Sequence, residues 1–158
     1  MPYYDAISGG YDELHGEEQL SKLSIIKSNL EISKNAMLLD VGCGTGISSQ
    51  FGCKVVGLDS SIGLIKLNKS SDKIVGFAES LPFKGNSFDY VISITSIHNF
   101  KNIKKSINEM KRVGKEHFVF SVLRKSGKFD YIKKMIEENF KIGNVVEEEK
   151  DVIFFCNK

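Results

Sequence analysis

Leu38-Leu39-Asp40-Val41-Gly42-Cys43-Gly44-Thr45-Gly46 is the stretch whose reading decides the fold. It reads as a buried strand, a glycine-rich turn and the start of a short helix. Glycines at alternate positions leave no side chain between the backbone and a ligand, and they permit positive φ where the chain turns sharply. Such a turn aims free N–H groups into the crevice beyond a strand's carboxyl end, where doubly wound α/β sheets bind ligands. A second strand, Lys54-Val55-Val56-Gly57-Leu58, ends in Asp59. An acidic residue about 20 positions beyond such glycines is placed to accept from ribose hydroxyls. These residues point to a site for a nucleoside-containing ligand.

Spacing narrows the choice. A dinucleotide fold uses G-x-G-x-x-G, whereas this chain has Gly42-x-Gly44-x-Gly46 with Ser49 and Gln50 beyond it. The run Asp40 to Gly46, followed by Asp59 and by Glu79-Ser80-Leu81-Pro82-Phe83, closely resembles the motifs of the class I S-adenosyl-L-methionine (SAM) dependent methyltransferases. The resemblance implies an α/β fold: a Rossmann-like, doubly wound, seven-stranded and mostly parallel sheet with the last strand antiparallel. It implies SAM as cofactor, with S-adenosyl-L-homocysteine as product. Gly42, Cys43, Gly44 and Gly46 would pack along the methionine and ribose portions, and Asp40 would orient that loop. Asp59 would accept from the ribose hydroxyls, and Ala78 and Glu79 would border the adenine. The family's usual acidic residue before the Ala78 position is Phe77 here. Either Phe77 stacks near the adenine or Glu79 supplies the acceptor.

Length and composition set bounds. With 158 residues, 41% apolar and 27% charged, the chain reads as one globular domain spanning 1–158. No apolar run approaches the ~18 residues of a membrane span, and the first residues lack a signal-peptide pattern. Cys43, Cys53 and Cys156 form no C-x-x-C pair, so neither a disulfide framework nor a zinc site is indicated. A cytoplasmic protein without a membrane partner is expected.

Residues 1–17 carry Tyr3-Tyr4-Asp5 and Gly10-Tyr11-Asp12. The family resemblance suggests a lid over the cofactor with Tyr11 in it; an N-terminal cap shielding the sheet edge is the other reading. Apolar spacing predicts an amphipathic helix from Glu18 to roughly Ser33. Only Ile47 to about Phe51 is left for the helix after the glycine turn, shorter than in most of the family. Ser60 or Ser61 can N-cap a helix carrying Ile62, Leu64, Ile65 and Leu67. Strands are expected at 73–78, at 90–96 as a continuous apolar central strand, and at 116–123. Ile103, Ile107 and Met110 mark one face of a helix, and Phe129, Ile132, Met135 and Ile136 that of another; five βα-type steps are followed by two closing strands, 141–148 and 151–156.

Methyl transfer from a sulfonium is an in-line displacement, so the protein mainly supplies position. A base is required only when the nucleophile keeps its proton at neutral pH. His98, at the end of the fourth strand, is the candidate catalytic residue, as acceptor contact or base; a histidine satisfying loop hydrogen bonds is the alternative. No Asp/Asn-Pro-Pro-aromatic run and no cysteine follows that strand. By resemblance, this sets the chain apart from amine-nitrogen and pyrimidine-C5 methyltransferases. The run Ile92 to Asn99 is similar to the same segment of tRNA wobble-uridine carboxymethyl methyltransferases, which esterify a carboxylate and use a small zinc-binding activator protein. The Leu81-Pro82-Phe83 segment is shared with small-molecule enzymes, including quinone-biosynthesis methyltransferases. Between Lys101 and Lys134 stand eleven Lys/Arg against three acids, a solvated helix face or a track for RNA phosphates. The acceptor is thus a small molecule or tRNA. A weakly active SAM-binding subunit that needs a protein partner is the alternative.

Overall fold

Alternation along β1 (Met37–Val41) sets how the sheet is covered: Leu38 packs into one apolar cluster and Leu39 and Val41 into another. The same alternation runs through the computed structural model, which describes residues 2–47 and 49–158, with residues 2, 9 and 11–14 described by backbone alone. The remaining strands are β2 (Lys54–Asp59), β3 (Lys73–Val75), β4 (Phe88–Ile94), β5 (Gly114–Leu123), β6 (Lys141–Glu147) and β7 (Asp151–Asn157). They form one sheet in the order β3-β2-β1-β4-β5-β7-β6. The pairs from β3 to β5 are parallel, and β7 runs antiparallel to both β5 and β6. This is the Rossmann-like, seven-stranded sheet expected from the motifs.

Helices α4 (Ile103–Val113) and α5 (Phe129–Asn139) cover one face through Ile103, Ile107, Met110, Ile132 and Ile136. α2 (Tyr11–Asn29) covers the other with Leu23 and Ile26. α3 (Ile62–Leu67) is N-capped by Ser61, whose Oγ accepts from Leu64 N. Among the described residues, no helix is long and apolar enough to cross a membrane.

Four expectations need correction. No helix follows the glycine turn among the described residues; turns and coil lead to β2, and Phe51 enters the α2-side cluster where a helix face would pack. The segment is too short for a helix plus the reversal at Gly52, which has φ +70°. Among the described residues, two of the five βα-type steps therefore lack a helix, since β3 also reaches β4 through turns and coil. β3 ends at Val75 rather than Ala78: Gly76 N makes the last bond, to Asp59 O, and the following residues turn along the ligand crevice. β4 is shifted to 88–94 because Thr95 takes a left-handed backbone. At the N-terminus the glycine-broken stretch is helical, with α1 (Pro2–Ile7) and a 3-10 turn leading into α2, which begins at Tyr11 and stops at Asn29.

Candidate functional site

The strand order reverses between β1 and β4, and a crevice outside the carboxyl ends is expected at that point. A cavity of about 470 Å³ lies there, within the range of small-ligand sites. Its floor is the glycine turn. Gly42 has φ +82° and Gly44 φ +53°. A Cβ on Gly42 would come within 2.5 Å of Ser96 Cβ, so this glycine is required by both conformation and space. Gly42 N and Cys43 N both donate to Leu58 O, tying the turn to β2.

Asp59 joins the turn to the next one. Its Oδ2 accepts from Gly44 N at 2.9 Å and its Oδ1 from Ser61 N at 2.8 Å. Burial pushes its carboxyl above the usual range, against the pull of these two N–H groups. Each oxygen retains a lone pair, since a carboxylate can accept about four bonds.

The far wall is Phe77, Ala78 and Glu79. Phe77 is 54% exposed, and the Lys101 ammonium stands 5.8 Å from its ring centroid. Glu79 Oε1 accepts from Asn102 N at 3.0 Å, which holds the wall to the start of α4. Thr95, Ser96, Asn99 and Lys101 form the remaining rim. Over the opening lies α1, contributing Tyr3 and Tyr4. Asn99 Nδ2 donates to Tyr4 Oη at 2.7 Å, and Gly63 N donates to Asp5 Oδ1 at 3.0 Å, so α1 is anchored on both sides.

Of the candidate residues, Gly42, Gly44, Asp59, Ala78 and Glu79 line this cavity. Asp40, Cys43 and Gly46 stand behind it as framework. Asp40 is fully buried; Ser49 Oγ donates to its Oδ2, while Oδ1 lacks a partner. Burial pushes its carboxyl up to about 7. The Cys43 thiol packs where a Gly57 Cβ would be, 2.7 Å away, and burial raises its pKa. A Cβ on Gly46 would meet the Asn68 amide at 2.8 Å. His98 is not among the lining residues. Its imidazole is half-buried with Nδ1 unpartnered, burial lowers its pKa, and its carbonyl accepts from Lys128 Nζ. The Tyr11 side chain lies outside the described residues; its backbone begins α2.

Tyr4 and Asn68 escaped the sequence reading. Asn68 is buried and donates to Gly44 O at 3.2 Å, bolting the turn from behind. In sequence it opens a polar loop, and no local pattern marks an asparagine that reaches across to a turn 24 residues earlier.

A doubly wound sheet with a glycine cradle and an acid at the end of β2 defines a nucleotide-cofactor fold. Residues 39–122 match the "Methyltransferase domain" family model. The chain is 33% identical over 157 residues to an uncharacterised protein of Methanocaldococcus jannaschii, covering 96% of this chain and 62% of that one. It is 43% identical over 86 residues to the demethylmenaquinone methyltransferase of Renibacterium salmoninarum, covering 49% and 36%. The chain thus spans less than two thirds of these relatives. A solved structure, the putative methyltransferase in complex with the Trm112 methyltransferase activator of Haloferax volcanii, superposes with a TM-score of 0.81 at 14% identity over 98% of this chain and 96% of that one. The chain belongs to the methyltransferase-domain family, the class I, SAM-dependent methyltransferases.

Proposed function

We propose that the chain binds SAM in the cavity at the β1–β4 switch and catalyses methyl transfer to an acceptor presented at the rim of residues 95–101. The observation that carries this reading is the cradle itself, positive-φ glycines at 42 and 44 tied directly to Asp59. The cofactor supplies an electrophilic methyl on a sulfonium, so what remains for the chain is binding and orientation.

Asp59 would take the ribose hydroxyls on its free lone pairs. Phe77 would face the adenine: its ring is open to the cavity, whereas the Glu79 carboxylate is already engaged by Asn102 N. Tyr3 and Tyr4 are the aromatic residues that α1 holds over the opening. The Thr95 and Ser96 hydroxyls and the Asn99 amide nitrogen donate to Asp151, Gly42 O and Tyr4, which leaves the Lys101 ammonium facing the rim, and no group there serves as a base near pH 7. The acceptor class that fits is one that arrives deprotonated, and the Lys101 ammonium favours a carboxylate. A carboxylate on a small molecule and a carboxymethyl group on tRNA both meet this requirement. Part of the basic stretch is neutralised: Arg112 pairs with Glu109, Lys133 with Glu137 and Lys134 with Glu138. That favours the small molecule.

Calorimetric titration with SAM and with NAD tests the cofactor, and selective binding of NAD overturns it. Labelled SAM offered to deproteinised tRNA, and to a small-molecule extract, separates the acceptors.

A second reading is a SAM-binding subunit that works with a small activator protein. The likeness to the Haloferax volcanii methyltransferase of the Trm112 complex supports it. So does Val75, which is left uncovered on the edge strand β3. Methyl transfer that appears only on adding cell extract, with a small protein co-purifying, would favour it.

A further inference from the structure

Behind the acceptor rim lies an ion pair withdrawn from water. Lys22 of α2 is 1% exposed and Asp151, the first residue of β7, is 0% exposed, with Nζ 3.4 Å from Oδ1. Between them stands Thr95. Lys22 Nζ donates to Thr95 Oγ1 at 2.9 Å, and Thr95 Oγ1 donates to Asp151 Oδ2 at 2.6 Å. Ser121 Oγ donates to the same Oδ2, also at 2.6 Å.

Thr95 is the residue at which β4 stops and the cavity wall begins. Its φ is +51°. A β-branched residue is a genuine outlier in the left-handed region, and such outliers persist only where the surroundings over-determine them. Asn86 is the other non-glycine residue with positive φ among those described; it lies in an exposed turn and belongs to a residue type that tolerates the region. Thr95 has neither excuse. Its N–H donates to Ser121 O at 2.9 Å, and its neighbour Ser96 donates through Oγ to Gly42 O at 3.1 Å, directly onto the glycine cradle.

We propose that the buried Lys22–Asp151 pair is a positioning device for the ligand cavity: by gripping the Thr95 hydroxyl from both sides it holds residue 95 in the left-handed conformation, which sets Ser96 against Gly42 and fixes the rim from 95 to 99. Lys22 and Asp151 touch no ligand in this arrangement and act through Thr95. A buried pair is weak evidence for stability in itself, because desolvation opposes the attraction. Its retention is explained by conformational specificity at the one strained, cavity-lining residue it contacts. This inference rests on the SAM reading for its binding test alone; the conformational test needs no ligand.

In the ligand-free protein, the one-bond coupling between the α carbon and α proton of residue 95 separates positive from negative φ. In Lys22→Met/Asp151→Leu, which replaces the pair by apolar residues, that coupling is expected to leave the left-handed value. If it stays, the proposal is overturned whether or not SAM binds. In calorimetry, the SAM dissociation constant of the same variant is expected to rise about tenfold, because the competent conformation becomes a minor one. Adding Thr95→Asn, a residue that accepts the left-handed region unaided, is expected to bring it back to within about threefold of the original. A dissociation constant that does not rise, or that asparagine does not restore, overturns the proposal, since a purely structural pair would gain nothing from the backbone preference of asparagine. Should the double variant fail to fold, Thr95→Val, which leaves both charges in place, takes over both measurements, and an unchanged coupling or affinity overturns the proposal equally. Absence of SAM binding by the unmutated chain would sink the cofactor reading and leave the coupling test standing.

Discussion

Asp40 sits beneath the glycine turn with no solvent, one hydroxyl donor and one oxygen without a partner. Burial is the first cause of its raised pKa of about 7, and the charge of Asp59 adds to it. The sign of the consequence follows from linkage. A carboxyl near 3.8 in the unfolded chain and near 7 in the folded one contributes full stability below about pH 4 and loses it as pH rises towards 7. Asp40→Asn is therefore expected to match the unmutated chain at pH 4 and exceed it at pH 8, by at most about 4 kcal/mol. Thermal unfolding across that range measures it, and a gap that does not widen with pH contradicts the burial argument. Gly42→Ala is expected to fail in the opposite sense, losing about 1–3 kcal/mol and the SAM site together, because its methyl would collide with Ser96 at a positive φ. Asp59→Asn keeps the shape but cannot accept at both positions, and a loss of roughly tenfold or more in SAM affinity by calorimetry is expected. His98→Ala, by contrast, should leave SAM affinity and the pH profile of transfer unchanged, since the imidazole lies outside the cavity lining.

At the scale of elements, α2 is clipped to the start of β7 by two pairs of reversed polarity. Glu18 meets Lys150 near the surface, and one turn on Lys22 meets Asp151 in the interior. Removing the outer pair by Glu18→Gln is expected to cost less than about 1 kcal/mol, because water screens it. Lys22→Met alone, which leaves Asp151 buried without its counter-charge, is expected to cost about 3–5 kcal/mol. Denaturant unfolding of both variants reads the contrast, and equal losses would deny the inner pair its burial. The elements also show where sequence reading reaches its limit. β1 and β4 were legible because two-sided burial writes a continuous apolar run, and β2 because its short apolar run ends in an acid. The α2 N-terminus was not, since Ser8-Gly9-Gly10 and Gly16 speak locally against helix. A short helix was expected from Ile47 to about Phe51, because the signal against one, Phe51 dropping into the α2-side cluster, is a tertiary contact.

Across the whole molecule, both apolar clusters share a single sheet, so neither face can be lost alone. Unfolding is expected to be two-state, with circular dichroism and tyrosine fluorescence giving coincident denaturant transitions; separated transitions would show that the faces come apart. The cradle of the candidate site was readable from one stretch of sequence because Gly42, Gly44 and Asp59 act through local turns. Tyr4 and the Lys22–Asp151 pair were not, as each is brought to the cavity by elements from the ends of the chain, and a lone lysine in a helix looks like any solvated one. That last contact has a consequence for the order of assembly. β7 lies between β5 and β6 although it is made after both, and it carries the only carboxylate that Lys22 meets among the described pairs. On the ribosome, α2 emerges early and its ammonium must stay hydrated until the hairpin of β6 and β7 arrives. Without that hairpin Thr95 has no carboxylate to donate to, and the wall that begins at residue 95 is unfinished.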